Sequence, residues 1–348
     1  MADVGAIVDT VAERTLQLSR KYAEAERDPV HWRWARWDWS MGVAFYGLCA
    51  AAAKRNRSDW VEEMRRWVDD RLERGASVPN VNSTALLHTL LHLDPAGEHP
   101  TYADVCRRFD RYLMHEQART PSGAIPHALP GQGFDDQIWA DTLFMSVLYL
   151  ARRGAELGEE RYTREAVSQL LLHMTRLRDN VSRLYTHGWD DVLGKPLGSL
   201  WGRGNAWVAI SAVEILQYVP DSPDKSAILS LLQEQLEALE ALQAENGMWR
   251  TVLDREGSYQ ETSVTVGIAF AVAKGIRLGM VDRRFEEMGH KALRAVSERI
   301  DAEGNVLEAS TGTAIQSGPE GYNAIPFDVT PFTQGLTLMA LCESLHAD

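Results

Sequence analysis

The chain alternates between two kinds of helical periodicity. One is amphipathic and charged, with a single apolar stripe, at about 5–27, 57–74, 101–118, 160–177, 223–245 and 282–299. In Asp59-Trp-Val-Glu-Glu-Met-Arg-Arg-Trp-Val, for example, Trp60 and Trp67 fall on one face. The other is apolar on nearly every side and rich in small residues, at about 40–54, 83–93, 137–153, 204–218, 261–278 and 331–346. Thr262-Ser-Val-Thr-Val-Gly-Ile-Ala-Phe-Ala-Val-Ala is its clearest stretch. A striped helix lies on the outside of a fold, whereas a helix that is apolar all round must be buried. Period-two strand patterns are nearly absent.

Six outer helices therefore alternate with six inner ones, at a spacing of roughly 45–70 residues. Repetition of this kind marks a toroid or solenoid, and the chain stops after six hairpins. The pattern predicts an all-α (α/α)6 barrel formed by one domain over residues 1–348. Its inner helices run parallel, so their N-terminal ends share one rim. The connections that feed this rim are long and irregular: 32–39, 79–82, 121–136, 185–205, 247–261 and 304–330. Long structured loops in compact domains usually carry function, which points to the rim as the active face.

Composition narrows the possible partners. The net charge is -13 with no Lys/Arg-rich run, so a nucleic-acid partner is not expected. No run of 18 apolar residues occurs, and residues 1–28 carry Asp3, Asp9 and Glu13 without an apolar leader segment. Neither a membrane span nor a signal peptide is expected, and the cytoplasm is the expected location. The three cysteines, Cys49, Cys106 and Cys342, are widely spaced within helical patterns and read as small buried hydrophobes. Eleven tryptophans are unusual. Some belong to the core, but Trp39, Trp139, Trp201, Trp207 and Trp249 sit beside polar residues and glycines at the rim. Large amphipathic rings there suit a sugar-binding cleft.

Three constellations carry the candidate chemistry. Asp141, in Trp139-x-Asp141, falls among Leu143, Phe144 and Met145 inside an apolar helix, where a carboxyl must be paired or have a raised pKa. Asp135 and Asp136 read as ordinary helix-start residues. His187-Gly-Trp-Asp precedes Trp201-Gly-Arg-Gly-Asn-Ala-Trp207, in which Arg203 and Trp207 share a helix face. A guanidinium beside an indole could clamp a carboxylate while the ring stacks on a sugar; the bland alternative is an Arg–Trp pair closing the core. Glu261-Thr262 reads as a helix cap, and Trp249 as a residue shaping the cleft rim. His88 and His92 have the spacing of a metal-binding pair, but the Glu of the usual motif and a third ligand are missing, so they read as packing residues. No phosphate loop, dinucleotide fingerprint or nucleophile elbow is present.

Trp139-x-Asp141, His187-Gly-Trp-Asp, Trp201-Gly-Arg-Gly-Asn-x-Trp207 and Glu261-Thr-Ser-x-Thr, with Lys274-Gly-Ile-Arg277, resemble the unsaturated uronyl hydrolases of glycoside hydrolase families 105 and 88. Family 105, the unsaturated rhamnogalacturonyl hydrolases, is the closer, and the likeness runs from Trp32 to Glu343. It implies an (α/α)6 barrel, no metal or cofactor, and hydration of a C4=C5 double bond in place of the usual two-carboxylate hydrolysis. It makes Asp141 the general acid and then base, for which a pKa near neutrality would suit. Arg203 and Trp207 would lie near the uronate, and His187 and His127 would line the site. The family's second aspartate falls at Asn82, which hydrogen-bonds but carries no charge. Two other readings stay open. One is another (α/α)6 sugar enzyme, an ordinary glycosidase or an epimerase, of which the glycosidase would need a second carboxylate from Asp38, Asp136, Asp190 or Glu261. A non-catalytic sugar-binding protein would account for Asn82.

Overall fold

The computed structural model describes residues 3–345. Its helices are α1 (Val4–Lys21), α2 (Trp39–Arg55), α3 (Ser58–Glu73), α4 (Leu87–Leu93), α5 (Pro100–Arg111), α6 (Leu148–Leu157) and α7 (Glu160–Leu177). They continue with α8 (Gly202–Leu216), α9 (Pro223–Leu242), α10 (Thr262–Arg277), α11 (Glu286–Ser297), the short α12 (Pro319–Asn323) and α13 (Pro331–Ser344). The two periodicities sort into two layers. Every residue of α8 is buried, as its all-round apolar surface requires. In α3 only Trp60, Met64, Trp67, Val68 and Arg71 are buried, one face of a striped helix. The inner layer is α2, α4, α6, α8, α10 and α13; the outer layer is α1, α3, α5, α7, α9 and α11.

The inner helices form a closed ring, because the last packs directly on the first. Two glycines make that closure possible. A Cβ on Gly47 of α2 would meet the Gly335 carbonyl oxygen of α13 at 2.1 Å, and one on Gly335 would meet the Val43 carbonyl oxygen at 2.2 Å. The starts of the inner helices are also linked in order around one rim. Trp37 Nε1 donates to Ser83 O (3.1 Å), and Ser146 Oγ donates to Val81 O (3.1 Å). Phe144 then packs on Trp207 (ring centroids 5.1 Å apart), Arg203 donates to Ser263, and Phe332 packs on Trp39 (4.8 Å).

The structure departs from the periodic pattern in three places. The segment 137–139 is a strand and not the start of a helix: β1 (Gln137–Trp139), β2 (Gly188–Asp190) and β3 (Lys195–Leu197) form an antiparallel sheet. A second pair, β4 (Trp249–Arg250) and β5 (Gln260–Glu261), precedes α10. These strands are two or three residues long, too short for period-two alternation to register. Consequently Asp141 is the first residue of its helix, ahead of a π-helical turn at Leu143–Val147, and Asp135 and Asp136 lie in the turn before β1, where they cap no helix. Finally, α1 stops at Lys21 and not near residue 27, because the guanidinium of Arg71 takes the carbonyls of Ala23 and Ala35 and draws that segment into turns.

Among the described residues, no helix is long and apolar enough to cross a membrane. The three cysteines are free and buried, and His88 packs among Tyr46, Phe144 and Tyr149.

Gly47→Ala tests the ring closure. The obstructing atom is a backbone oxygen, so relief requires α2 and α13 to separate. The substitution should destabilise the fold by about 2 kcal/mol or more in urea melts, whereas an alanine at exposed Gly257, where a Cβ would meet nothing within 4 Å, should cost less.

Candidate active site

Strand pairing brings Asp141 and His187 together. The register sets Trp139 opposite Gly188, and Ala140 N donates to His187 O at 3.0 Å. His187 Nε2 then lies 3.3 Å from Asp141 Oδ2, and neither atom has another partner; the contact is looser than a full hydrogen bond. On the other side of the ring, Nδ1 lies 2.8 Å from the Tyr322 hydroxyl. That hydroxyl oxygen also accepts, at 3.4 Å, from the backbone N–H of Gln316. With the carboxylate oxygen of Asp141 facing Nε2, the arrangement favours the tautomer with the proton on Nε2 and the Tyr322 hydroxyl donating to Nδ1. Gly198 permits this relay: it has φ +75°, and a Cβ there would strike the Tyr322 hydroxyl at 2.4 Å.

Aromatic rings enclose the pair. Trp139 stacks on His127 (centroids 4.4 Å, interplanar angle 6°) and meets His187 edge-on at 5.2 Å. Trp201 covers His187 at 4.1 Å. His127 is buried and its Nδ1 contacts Thr142 Oγ1 at 3.0 Å. The Asp141 side chain retains 14% exposure while His187 has none, so the carboxyl is the part of the pair that a ligand can reach. Asn82 is half-buried at the start of the second inner helix, and Trp39 is half-buried against Phe332.

Arg203 is placed differently from the carboxylate clamp expected of it. Its guanidinium lies between Trp201 and Phe332, with both rings at 4.7 Å. Nη1 donates to Ser263 Oγ, Ser310 O and Ser310 Oγ (3.1, 2.9 and 3.0 Å). Nη2 donates to Thr311 O and Thr313 Oγ1 (2.8 and 2.9 Å). Glu261 lies 3.7 Å away as its counter-charge. The flanking glycines are helical, and Gly202 allows close approach to the Arg250 carbonyl, not to a ligand. Trp207 has no exposed surface and packs on Phe144 below the rim, so it presents no face to a sugar. Trp249 does not shape the cleft rim either: it is fully buried between layers, with its indole N–H on Leu239 O of α9.

Two of the four candidate second carboxylates have structural duties. Glu261 caps α10 through Val264 N (2.9 Å) and also accepts from Ser263 Oγ and Ser310 N. Asp190 caps a turn through Val192 N and Leu193 N. Burial pushes the Asp38 carboxyl up to about 6, against the pull of the Trp39 N–H, Arg36 and Arg33.

Of the two alternatives the sequence left for Asp141, a paired carboxyl or a raised pKa, the structure shows the pairing with His187. Burial pushes its carboxyl up, but the His187 N–H and charge, then His127 and Arg203, pull it below its usual value, and the pull is stronger. Burial depresses His187 and takes His127 down to about 4. Near neutral pH the site therefore holds an aspartate anion among neutral imidazoles, at the convergence of inner-helix N-termini that favour negative charge. It can transfer a proton at one carboxyl and attract an anionic ligand, in spite of the protein's net charge.

The sequence matches Glycosyl Hydrolase Family 88 over residues 7–347. The chain belongs to that family. It is 31% identical to the unsaturated rhamnogalacturonyl hydrolase YesR of Bacillus subtilis, over 98% of this chain and 95% of that protein. A crystal structure from Klebsiella pneumoniae, described as a possible member of GH105, superposes with a TM-score of 0.91 at 28% identity, covering 100% of this chain and 94% of that one. A similarly described structure from Salmonella enterica gives 0.86 at 31%, covering 89% and 83%. The (α/α)6 barrel and the glycoside hydrolase class follow from this membership.

Within this family-88 chain, sequence reasoning missed Tyr322, Ser310, Thr311 and Thr313. All four lie in the 304–330 connection, whose length was the only signal available for them. Arg203→Met is expected to cost about 3–5 kcal/mol of stability in urea melts, because it leaves Glu261 buried without its counter-charge. A residue that only contacted substrate would change affinity and leave the melt unmoved.

Buried neutral histidines predict acid sensitivity. His127 and His173 titrate at about 4 when folded, and His88 lies well below its usual value, in each case because of burial. Unfolded histidine titrates near 6.5, so the unfolded chain binds more protons as pH falls below that value. Stability should therefore drop between about pH 6.5 and 4, by about 1.4 kcal/mol per pH unit for each such histidine. Thermal melts across this range check the slope, which His173→Gln should flatten.

Proposed function

We propose that this family-88 hydrolase removes a terminal 4,5-unsaturated uronic acid from lyase-generated oligosaccharides of the rhamnogalacturonan type, by hydrating the C4=C5 bond. The observation that carries the reading is the partly exposed carboxyl of Asp141, paired with His187 and backed by the His187–Tyr322 relay at the mouth of the barrel. The name of the Bacillus subtilis relative supports the substrate class.

In this mechanism the Asp141 carboxyl gives its proton to C4, and positive charge develops at C5 and the ring oxygen. Water adds to C5 and returns a proton to Asp141, which restores the acid. The C5 hemiketal then opens to a ketone, and the hemiacetal exposed at C1 expels the partner sugar. No second protein carboxylate is required, so Asn82 is compatible with turnover, and it suits hydrogen bonding to a sugar hydroxyl. In the empty site Asp141 is ionised. A bound uronate carboxylate brings a like charge beside it and raises its pKa toward the value that an acid needs. Substrate binding thus supplies the repulsion that Asn82 lacks.

The test follows ultraviolet absorbance of the conjugated uronate in unsaturated disaccharides. The wild type should bleach it and release a saturated partner sugar. Asp141→Asn should lower kcat by at least about 1,000-fold while leaving the melt and ligand binding intact. A near-normal rate in that variant, or binding by the wild type without bleaching, would overturn the mechanism.

A further inference from the structure

The proposed substrate carries one carboxylate, and Arg203 is not available to grip it, since its terminal nitrogens already donate to Ser263, Ser310, Thr311 and Thr313. A different guanidinium lies above it. Arg33 follows the connection out of α1 and lies against the same rim loop. A Cβ on Gly312 would fall 3.2 Å from both Nε and Nη2 of Arg33, and 3.5 Å from the Trp39 ring. Gly312 is thus flanked by Thr311 and Thr313, which hold Arg203 from below, while its own backbone faces Arg33 and Trp39. Trp39 in turn rests on Phe332, the ring that covers Arg203. The charge of Arg33 is felt at Arg203, and that of Arg203 at Asp141.

Arg33 differs from the other rim cation in having no polar partner. It is half-buried, its Nε is fully covered without an acceptor, and it makes no hydrogen bond or ion pair among the described residues. Its contact is the Trp32 ring at 4.7 Å, and Asp328 and Asp38 act on it only at longer range. A guanidinium offers five N–H donors in a planar fork matched to a carboxylate, and covering one without acceptors is unfavourable unless a ligand completes it. Beside it Trp39 offers a half-buried ring to a sugar face.

We propose that Arg33 grips the uronate carboxylate, with Trp39 alongside, and thereby selects the free acid over its ester. This rests on the hydrolase reading above. Arg33 binds and orients the substrate; the proton chemistry stays with Asp141.

The experiment compares an unsaturated rhamnogalacturonan disaccharide as the free acid and as its methyl ester. The wild type should prefer the acid. Arg33→Gln should raise KM for the acid by about 10- to 100-fold, the loss of one charged hydrogen-bond pair, with kcat much less changed and the ester little affected. Arg33→Lys should recover part of the acid preference. Gly312→Ala, which crowds the guanidinium without removing it, should also raise KM for the acid. Urea melts of all three variants should match the wild type. If Arg33→Gln keeps the wild-type ratio of KM for ester over acid, or raises both KM values equally, the clamp is overturned while the hydrolase reading stands. If the wild type consumes neither form, both fall together.

Discussion

A single buried cation holds the rim together. Arg203 projects from the start of α8, and its terminal nitrogens fasten the start of α10 and the 310–313 segment, while its flat faces pack against Trp201 and Phe332. A guanidinium removed from water is costly unless its charge and its donors find partners. Here Glu261 answers the charge, and serine and threonine oxygens answer the two terminal nitrogens, while Nε stays covered without an acceptor. The same Glu261 caps α10. Helix start, loop position and charge balance therefore form one unit, and the long 304–330 connection is ordered because it carries several of Arg203's acceptors.

That connection also bears Tyr322, which fixes the tautomer of His187 and so what Asp141 faces. Structure and chemistry are coupled through this loop. Its Arg203-binding residues position it, and its tyrosine then sets the proton on the imidazole. The exposed part of the resulting site is small: one carboxyl edge, a half-buried indole and a half-buried amide. Asp141 sits at the start of its own helix with Arg203, at the start of α8, acting on it, an environment that favours negative charge although the protein as a whole is acidic.

The inner and outer helices were legible in the sequence because burial leaves a periodic record. An all-round apolar helix such as α8 has no other place than the barrel interior, and the striped α3 no other than its surface. The short strands were not legible, since two or three residues hold no period. Missing them misplaced the start of the third inner helix, and with it the surroundings of Asp141. Trp207 and Trp249 show a similar limit: a tryptophan next to glycines reads the same whether its ring lines a cleft or fills a core.

By itself the sequence determined the twelve barrel helices, their two layers, the rim on which the irregular loops gather, and the residues Asp141, His187 and Arg203 as a set of interest, which His127 joined only through the family resemblance. Composition and local spacing suffice for these, because they depend on which faces need covering. Only the tertiary structure decided what each member of the set faces. The β1–β2 register, the Gly47–Gly335 contact and the fold-back of residues 304–330 join groups far apart in the chain. Whether Arg203 or Arg33 has donors left for a ligand, and whether Asp141 holds or releases its proton, depends on those distant partners, and no local pattern encodes them.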